Sequence, residues 1–273
     1  MWGESRRSLP YNFYMNISIV QSGIAWEDKE KNLHDYYRLL SPLQGKTDLA
    51  VLPETFTTGF SMRVPHLAET NTGNTVQTLL RWAAELGFAI AGSFLAKNPD
   101  GKLFNRGFFV TPEGETYFSD KRHLFCLSEE NKHLTPGKTY SIIPYRAWNI
   151  RLIICYDLRF PVWIRNRNEE YDLLLCVANW PQARIKVWDI LLKARAIENV
   201  CYVCGVNRTG IDGNEIPHPG NSVIVDYKGD CVSDAGQNPE TVLTQCINKE
   251  ELEDFRHRFP AGKDADSFKL IEN

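Results

Sequence analysis

Apolar runs alternate with helix-like segments along almost the whole chain. The apolar runs predict strands, and the segments whose apolar residues recur every three or four positions predict helices. The predicted strands lie at 16–21, 48–53, 88–96, 104–111, 150–156, 172–179, 200–207, 221–227 and 241–247. The predicted helices lie at 27–41, 73–87, 161–170, 184–199 and 249–258.

Several of the predicted strands are apolar on both faces. In NIRLIICYD, Ile150, Leu152 and Ile154 point to one side, and Ile153 and Cys155 point to the other. DLLLCVAN has the same pattern. Strands covered on both faces are typical of layered α/β folds. We find no repeat, low-complexity stretch or linker that would divide the chain, which favours a single domain.

The composition is sufficient for a large apolar core and indicates no strongly charged binding partner. Hydrophobic residues make up 43% of the 273 positions, and the formal net charge is -3. These values give no indication of nucleic acid or a membrane surface as a partner, and no apolar run approaches the roughly 20 residues of a transmembrane helix. Residues 1–14 lack the apolar region of a secretory signal, and we interpret them as a leader of uncertain origin. Met15 begins the first strand.

Seven cysteines are present, and with no signal peptide we expect them in a reducing cytoplasm. Cys201 and Cys204 form a C-x-x-C within VCYVCGV, a strand-like context. Positions three apart in a strand point to opposite faces, so we predict a buried structural pair. The sequence has no second C-x-x-C and no H-E-x-x-H, and we expect no metal.

Three predicted strands end in polar side chains that could share one pocket. DLAVLPETF presents Glu54, LIICYDLRFP presents Cys155, and LLCVANWP presents Asn179 and Trp180. In open α/β sheets, ligands bind beyond the carboxyl ends of the strands. A polar hairpin-like stretch, TPEGETYFSD, then leads to Lys121. A lone cysteine after a strand is more often a small core residue, so the spacing alone favours a Cys–Glu–Lys site only modestly.

Five blocks together resemble the nitrilase superfamily of carbon–nitrogen hydrolases, in its omega-amidase branch: LPETFTTGF, DKRHLF, ICYDLRFPVW, VANWP and ARAIENVCYV. The resemblance spans 15–258, which we take as the domain, with 259–273 as a C-terminal tail. It implies a four-layer αββα sandwich, a homodimer or larger homo-oligomer, and no cofactor. It also implies Cys155 as nucleophile, Glu54 as general base and Lys121 as the cation at the oxyanion. A second family glutamate precedes a Pro-Gly turn; counting back selects Glu130, with Glu129 as the alternative.

The resemblance further implies small dicarboxylate monoamides, 2-oxoglutaramate or 2-oxosuccinamate, as substrates. The far carboxylate of such a molecule needs a cation, and we select Arg184; a solvated residue at the helix start is the alternative. Phe60 and Trp180 are candidate pocket walls, with core packing equally open. The Tyr156 N–H, next to the nucleophile, is a candidate second oxyanion donor.

Four further residues receive structural interpretations. Asp157 and Arg159 are expected to fix the turn after Cys155, by pairing with each other or with nearby backbone. Arg195 and Glu198 are expected to form a partly buried salt bridge that holds an interface.

Three alternatives remain open at this point. A papain-like hydrolase would need a histidine near Cys155, and His123 is the only histidine within one of the motifs. A binding module without activity is disfavoured by the intact Glu54, Lys121 and Cys155. Another aliphatic amidase, an N-carbamoyl amidohydrolase or a nitrilase of the same superfamily would share these three residues.

Overall fold

The computed structural model describes residues 13–237 and 239–270 of the chain. Within them the strands are β1 (Tyr14–Gln21), β2 (Leu49–Val51), β3 (Ala89–Lys97), β4 (Leu103–Val110), β5 (Thr116–Asp120), β6 (Ile143–Tyr145), β7 (Trp148–Ile154), β8 (Leu173–Ala178), β9 (Tyr202–Asn207), β10 (Thr209–Ile211), β11 (Pro217–Pro219), β12 (Val223–Val225), β13 (Cys231–Asp234) and β14 (Thr241–Asn248). The helices are α1 (Lys29–Leu40), α2 (Val64–Leu67), α3 (Asn74–Leu86), α4 (Glu130–His133), α5 (Pro161–Ile164), α6 (Ile185–Asn199) and α7 (Lys249–Arg258). Of the predicted leader, only positions 13 and 14 lie within the described residues.

The strands form two mixed six-stranded sheets and one separate hairpin. The first sheet has the order β14-β1-β2-β3-β4-β5, and the second has the order β13-β12-β9-β8-β7-β6. The central strands are parallel in both: β1 with β2 and β2 with β3, then β7 with β8 and β8 with β9. The hairpin pairs β10 with β11. Parallel central strands place several strand ends at the same edge of each sheet.

The two sheets pack face to face, and helices cover their outer faces. Between the sheets, apolar residues of β1 and β2 meet those of β7 and β8, including Ile17, Val51, Ile150 and Leu175. On the outer side of the first sheet, α1 and α3 pack onto strand residues. On the outer side of the second sheet, α6 packs onto β8 and β9. This arrangement is the predicted four-layer αββα sandwich, and it explains why the central strands are apolar on both faces.

One close contact holds α6 on the second sheet. A Cβ built on Gly205 of β9 would lie 2.5 Å from Leu192 and 2.9 Å from Trp188. Both side chains are fully buried. Only glycine lets the helix approach this strand so closely.

The predicted helix at 161–170 is wrong in its second half. The α-helix ends at Ile164, and Asn166 then bonds with the backbone of Tyr171 and of Asn199. Such side-chain bonds to the backbone compete with helical hydrogen bonds. The other predicted helices are confirmed to within two residues at each end.

The C-x-x-C forms the predicted buried pair. All seven cysteines are free, and Cys201 and Cys204 are fully buried in different clusters on opposite faces of the second sheet. In the described part of the chain, no helix has both the length and the apolarity needed to cross a membrane.

Candidate active site

Three strand ends meet where the two sheets face each other. Strands β2, β7 and β8 end one to three residues before Glu54, Cys155 and Asn179. The Asn179 backbone N–H donates to Glu54 Oε2 over 2.7 Å, and its side-chain Nδ2 donates to the Glu54 carbonyl oxygen over 2.7 Å. These bonds join the two sheets at the place where the sequence predicts the shared pocket.

The backbone is strained at the two chemically important strand ends. Cys155 has φ 46° and Thr55, next to Glu54, has φ 45°. Left-handed backbone at non-glycine residues costs on the order of 1–3 kcal/mol and persists where surrounding contacts hold it. Here the Thr55 N–H donates to Ser93 Oγ over 2.8 Å, and the Ile154 N–H donates to Asp157 Oδ2 over 3.1 Å. The left-handed backbone changes the chain direction at Cys155 and directly after Glu54.

Lys121 is fixed by a turn that requires glycine. It follows β5 directly, and its N–H donates to the Asn105 carbonyl over 2.9 Å. The Gly137 N–H donates to the Lys121 carbonyl over 2.8 Å. A Cβ on Gly137 would lie 2.1 Å from the Asp120 carbonyl oxygen. The Pro-Gly turn therefore holds the backbone of the lysine in place.

The lysine lies between two buried carboxylates. Lys121 Nζ is 2.9 Å from Glu54 Oε1 and 3.0 Å from Glu130 Oε1, and all three side chains are at most 1% exposed. Asn105 Nδ2 donates to Glu54 Oε1 over 2.7 Å. The Phe125 N–H donates to Glu130 Oε2 over 2.6 Å. Both carboxylate oxygens of Glu54 and both of Glu130 thus accept at least one hydrogen bond, as buried charges require.

The geometry separates the two candidate second glutamates. Glu130 is fully buried against Lys121. The side chain of Glu129 is 59% exposed and pairs with Lys132 at the surface. Only Glu130 is therefore placed to orient Lys121.

Burial and charge set the protonation of the site. Burial raises the pKa of the Cys155 thiol well above its usual range; the Glu54 carboxylate raises it further, and Lys121 opposes this. Burial alone would lower the pKa of Lys121, but Glu130 and Glu54 outweigh it, so the pKa is raised and the ammonium persists. Burial also raises the pKa of Glu130, against the lowering effect of Lys121. The resting site therefore combines a neutral thiol with a charged lysine.

His123 lies outside the pocket and contacts the turn that carries the nucleophile. Its N–H and its ring Nδ1 are 2.9 Å and 2.8 Å from Asp157 Oδ1, and its ring stacks on Phe160 with centroids 3.7 Å apart. It is not among the residues that line the cavity. The geometry thus gives no support to a pair between Cys155 and His123, and Asp157 instead connects the Cys155 turn with the segment after Lys121.

Arg195 also braces this turn. It pairs with Glu198 over 3.0 Å, as predicted. Its Nε and Nη2 donate to the Leu158 carbonyl over 3.1 Å and 2.8 Å, and the residue is buried within the chain. The guanidinium therefore connects α6 with the nucleophile turn, which the sequence interpretation did not include.

A cavity of about 740 Å³ opens above Cys155. Every predicted site residue except the buried Glu130 lines it. The ring centroid of Phe60 is 5.0 Å from Lys121 Nζ. Trp180 is almost fully buried, and Tyr156 packs edge-on against Phe125. The cavity is lined by Trp26, Glu27, Glu54, Phe60, Ser61, Met62, Arg63, Lys121, Phe125, Leu127, Ser128, His133, Cys155, Tyr156, Arg159, Asn179, Trp180, Pro181, Arg184, Asp212, Asn214, Ile216 and His218.

Arg159 does not pair with Asp157, one of the two kinds of partner that the sequence suggested for it. Both oxygens of Asp157 are occupied by His123 and Ile154. The Arg159 guanidinium lies over the Trp180 ring, 5.5 Å from its centroid, on the cavity wall. The Arg184 guanidinium lies over Phe125 at 5.0 Å. Within residues 13–237 and 239–270, neither guanidinium has a carboxylate partner.

Asn105 is the main residue of the site that sequence reasoning missed. It is 1% exposed in the middle of β4 and donates to Glu54 and, over 3.4 Å, to Glu130. The signal was a single amide within the apolar run LFNRGFFV. A buried polar side chain requires partners, so this run could have indicated a residue that holds the carboxylates.

The described part of the chain has no group of three or more histidine, cysteine or acidic side chains that could hold a metal ion.

Comparison with known proteins shows which family the sequence and the fold resemble. The sequence model of the carbon-nitrogen hydrolase family matches residues 16–257. Omega-amidase YafV of Yersinia enterocolitica is 42% identical over 94% of this chain and 99% of its own length. A 2-oxoglutaramate amidase of Bacillus subtilis is 29% identical over 91% of this chain and 96% of its own. The crystal structure of XC1258 from Xanthomonas campestris, a CN-hydrolase superfamily protein with an arsenic adduct in its active site, has 42% identity and a TM-score of 0.92, and the match covers 94% of this chain and 99% of that one.

Proposed function

The chain belongs to the carbon–nitrogen hydrolase family, and on this premise we propose that it is an omega-amidase. It hydrolyses the amide of small dicarboxylate monoamides, such as 2-oxoglutaramate and 2-oxosuccinamate, to the 2-oxo acid and ammonia. The observation that carries the proposal is the placement of the Cys155 thiol beside Glu54 and Lys121 in a cavity lined by Arg159 and Arg184, two guanidinium groups that no described carboxylate pairs with. Relatives named omega-amidase and 2-oxoglutaramate amidase support the substrate class.

Acylation begins with proton transfer inside the site. Because the thiol is neutral at rest, Glu54 takes the Cys155 proton as the sulfur attacks the amide carbon. Negative charge develops on the amide oxygen, where the Lys121 ammonium and the Tyr156 N–H stabilise it. Glu54 then gives the proton to the nitrogen, the C–N bond breaks, and ammonia leaves a thioester on Cys155. Glu130 keeps Lys121 in place throughout.

Deacylation uses Glu54 again, first as a base toward water and then as an acid toward the Cys155 sulfur. Glu54 takes a proton from water, and the hydroxide attacks the thioester carbon. The C–S bond breaks, the acid is released, and Glu54 returns the proton to the Cys155 sulfur. The chain's own side chains account for each proton in the cycle.

A substrate panel tests the function. We expect kcat/KM for ammonia release to be about tenfold or more higher for 2-oxoglutaramate or 2-oxosuccinamate than for glutamine, asparagine, N-carbamoyl amino acids or simple nitriles. The 2-oxo compounds lack the ammonium of glutamine and asparagine, which Arg159 and Arg184 would repel. Preference for glutamine or for a nitrile would overturn the assignment.

The far carboxylate is the substrate group that the guanidinium groups would bind. We expect Arg159→Gln and Arg184→Gln each to raise KM for 2-oxoglutaramate by about 10- to 100-fold, since a hydrogen bond to a charged group contributes about 1.5–3 kcal/mol. The kcat value should change little, because this contact is the same in the ground state and the transition state.

Arg63→Gln is the matched control for these variants. Arg63 lines the same cavity but already pairs with Glu27 over 2.7 Å, so its loss should change KM by less than about threefold. Equal effects of Arg63→Gln and the two other variants would contradict carboxylate binding by Arg159 and Arg184.

Self-association is part of the proposal. Helix α6 exposes Ile190 at 66% and Ile197 at 53%, and Val162 within α5 is 53% exposed. Exposed apolar residues grouped on one face are typical of an interface. A light-scattering mass of only 31.3 kDa, the mass of a single chain, would overturn this part.

A further inference from the structure

Phe125 contacts three parts of the candidate site at once. Its backbone N–H donates to Glu130 Oε2 over 2.6 Å. Its ring packs edge-on against Tyr156, with centroids 5.0 Å apart. The Arg184 guanidinium lies over the same ring, 5.0 Å from its centroid, and Phe125 lines the cavity. One residue therefore contacts the carboxylate that orients Lys121, the residue next to the nucleophile, and a cation of the cavity wall.

The backbone of Arg184 is fixed on both sides, and the aromatic ring holds its side chain. Its N–H donates to the Pro181 carbonyl over 3.0 Å, and its carbonyl accepts from Trp180 Nε1 over 2.9 Å. An aromatic face attracts a guanidinium without taking up its N–H donors as a carboxylate would. Arg63 of the same cavity, by contrast, is held by a bond of 2.7 Å to the Glu27 carboxylate. The ring therefore places Arg184 while leaving its N–H groups to bind a ligand.

A guanidinium that is held in place before the substrate arrives binds a carboxylate more tightly. The arginine side chain is long, and a ligand that orders it must offset the loss of its rotamer freedom. The Phe125 ring removes much of this cost, because it holds the guanidinium before binding. An amide without a far carboxylate gains nothing from this arrangement. The contact should therefore favour amides that carry a carboxylate over neutral amides.

We propose that Phe125 determines specificity: its ring holds the Arg184 guanidinium in position for the far carboxylate of the substrate. Phe125 acts on the substrate through Arg184, so it is a positioning residue. Its backbone N–H separately holds Glu130, and a change of the side chain leaves that bond in place. The ring therefore affects selection of the carboxylate, while the backbone supports the chemistry. The inference rests on the proposed function and adds to it the residue that prepares the carboxylate subsite.

Two amides that differ only in the far carboxylate test this role. In 4-oxopentanamide a methyl group replaces the carboxylate of 2-oxoglutaramate. Ammonia release gives the ratio of kcat/KM for 2-oxoglutaramate to kcat/KM for 4-oxopentanamide. Phe125→Leu should lower this ratio about 3- to 10-fold, through a higher KM for 2-oxoglutaramate with little change in kcat. Phe125→Tyr keeps an aromatic face and should leave the ratio within about twofold of the wild-type value.

A double variant and a matched control show whether the ring acts through Arg184. Once Arg184→Gln has removed the guanidinium, adding Phe125→Leu should lower the ratio by less than about twofold. Phe160→Leu is the control, because the Phe160 ring also packs edge-on against Tyr156, with centroids 5.1 Å apart, but is not among the residues that line the cavity. Its loss should change kcat/KM for both amides by the same factor.

The ratio compares two substrates on the same preparation, so it does not depend on the fraction of a variant that folds. Equal losses for the two amides in Phe125→Leu would overturn the inference, and so would a ratio in Phe125→Tyr as low as in Phe125→Leu. A full further loss when Phe125→Leu is added to Arg184→Gln would also overturn it. A wild-type enzyme without preference for 2-oxoglutaramate over 4-oxopentanamide would instead overturn the proposed function, on which the inference rests.

Discussion

Glu54→Gln should lower kcat/KM for 2-oxoglutaramate by about 10²- to 10⁴-fold, the range typical for loss of general acid–base catalysis. Burial raises the pKa of the Cys155 thiol, so without a base almost no thiolate forms at neutral pH. The same carboxylate would also protonate the departing ammonia and activate water. Steady-state ammonia release and the rate of Cys155 alkylation by iodoacetamide measure these roles.

Glu130→Gln is a closely matched control because the contacts of the two glutamates are alike. Each carboxylate accepts from Lys121 and Asn105 on one oxygen and from a backbone N–H on the other: Asn179 for Glu54 and Phe125 for Glu130. A glutamine at either position places an N–H against a donor, so the structural cost is similar.

The alkylation rate separates the two glutamates. Only Glu54 is placed to take the Cys155 proton, so Glu54→Gln should slow alkylation and Glu130→Gln should not. Glu130→Gln should reduce turnover through misplacement of Lys121. Equal alkylation rates in the two variants would contradict the assignment of Glu54 as the base.

The part of the fold that sequence predicts best is the part with a strong apolar pattern. The central strands β7, β8 and β9 are apolar on both faces and were predicted to within two residues. The sequence does not predict the short strands β5, β6, β10, β11 and β13. They contain three to five residues each, and pairing with a neighbouring strand defines them more than their own side chains do.

The sequence predicts those site residues whose polar side chains come directly after a strand. Glu54, Cys155 and Asn179 each come directly after an apolar run, and the fold brings them together. Arg159 illustrates the limit: of the two predicted kinds of partner, Asp157 does bond to nearby backbone at Ile154, but its other oxygen bonds to His123 and Arg159 forms no ion pair with it. Spacing along a turn does not reveal which partner a side chain will select from distant segments.

Lys121→Met should reduce kcat/KM by about 10²- to 10³-fold or more, the effect of removing one oxyanion donor. It should also destabilise the protein, by about 3–5 kcal/mol, because Glu54 and Glu130 then face each other in a buried site without a cation. Thermal unfolding and ammonia release measure the two effects.

The destabilisation of Lys121→Met should depend on pH. Burial raises the pKa of Glu130 in the folded state, and without the ammonium the opposing effect of Lys121 is lost, so the pKa of Glu130 rises further above its value in the unfolded chain. Groups of this kind cost no stability below their unfolded pKa, near 4.3, and the cost grows as pH rises from there. The difference in melting temperature between wild type and Lys121→Met should therefore be smaller at pH 5 than at pH 8.

The double variant Lys121→Met/Glu130→Gln separates the structural role of the ammonium from its catalytic role. It removes one positive and one negative charge together, so Glu54 no longer faces a second carboxylate. We expect it to recover much of the melting temperature lost in Lys121→Met while activity stays as low, because no cation is left at the developing oxyanion. Recovery of activity together with stability would mean that Lys121 only neutralises the two glutamates and takes no part in stabilising the transition state.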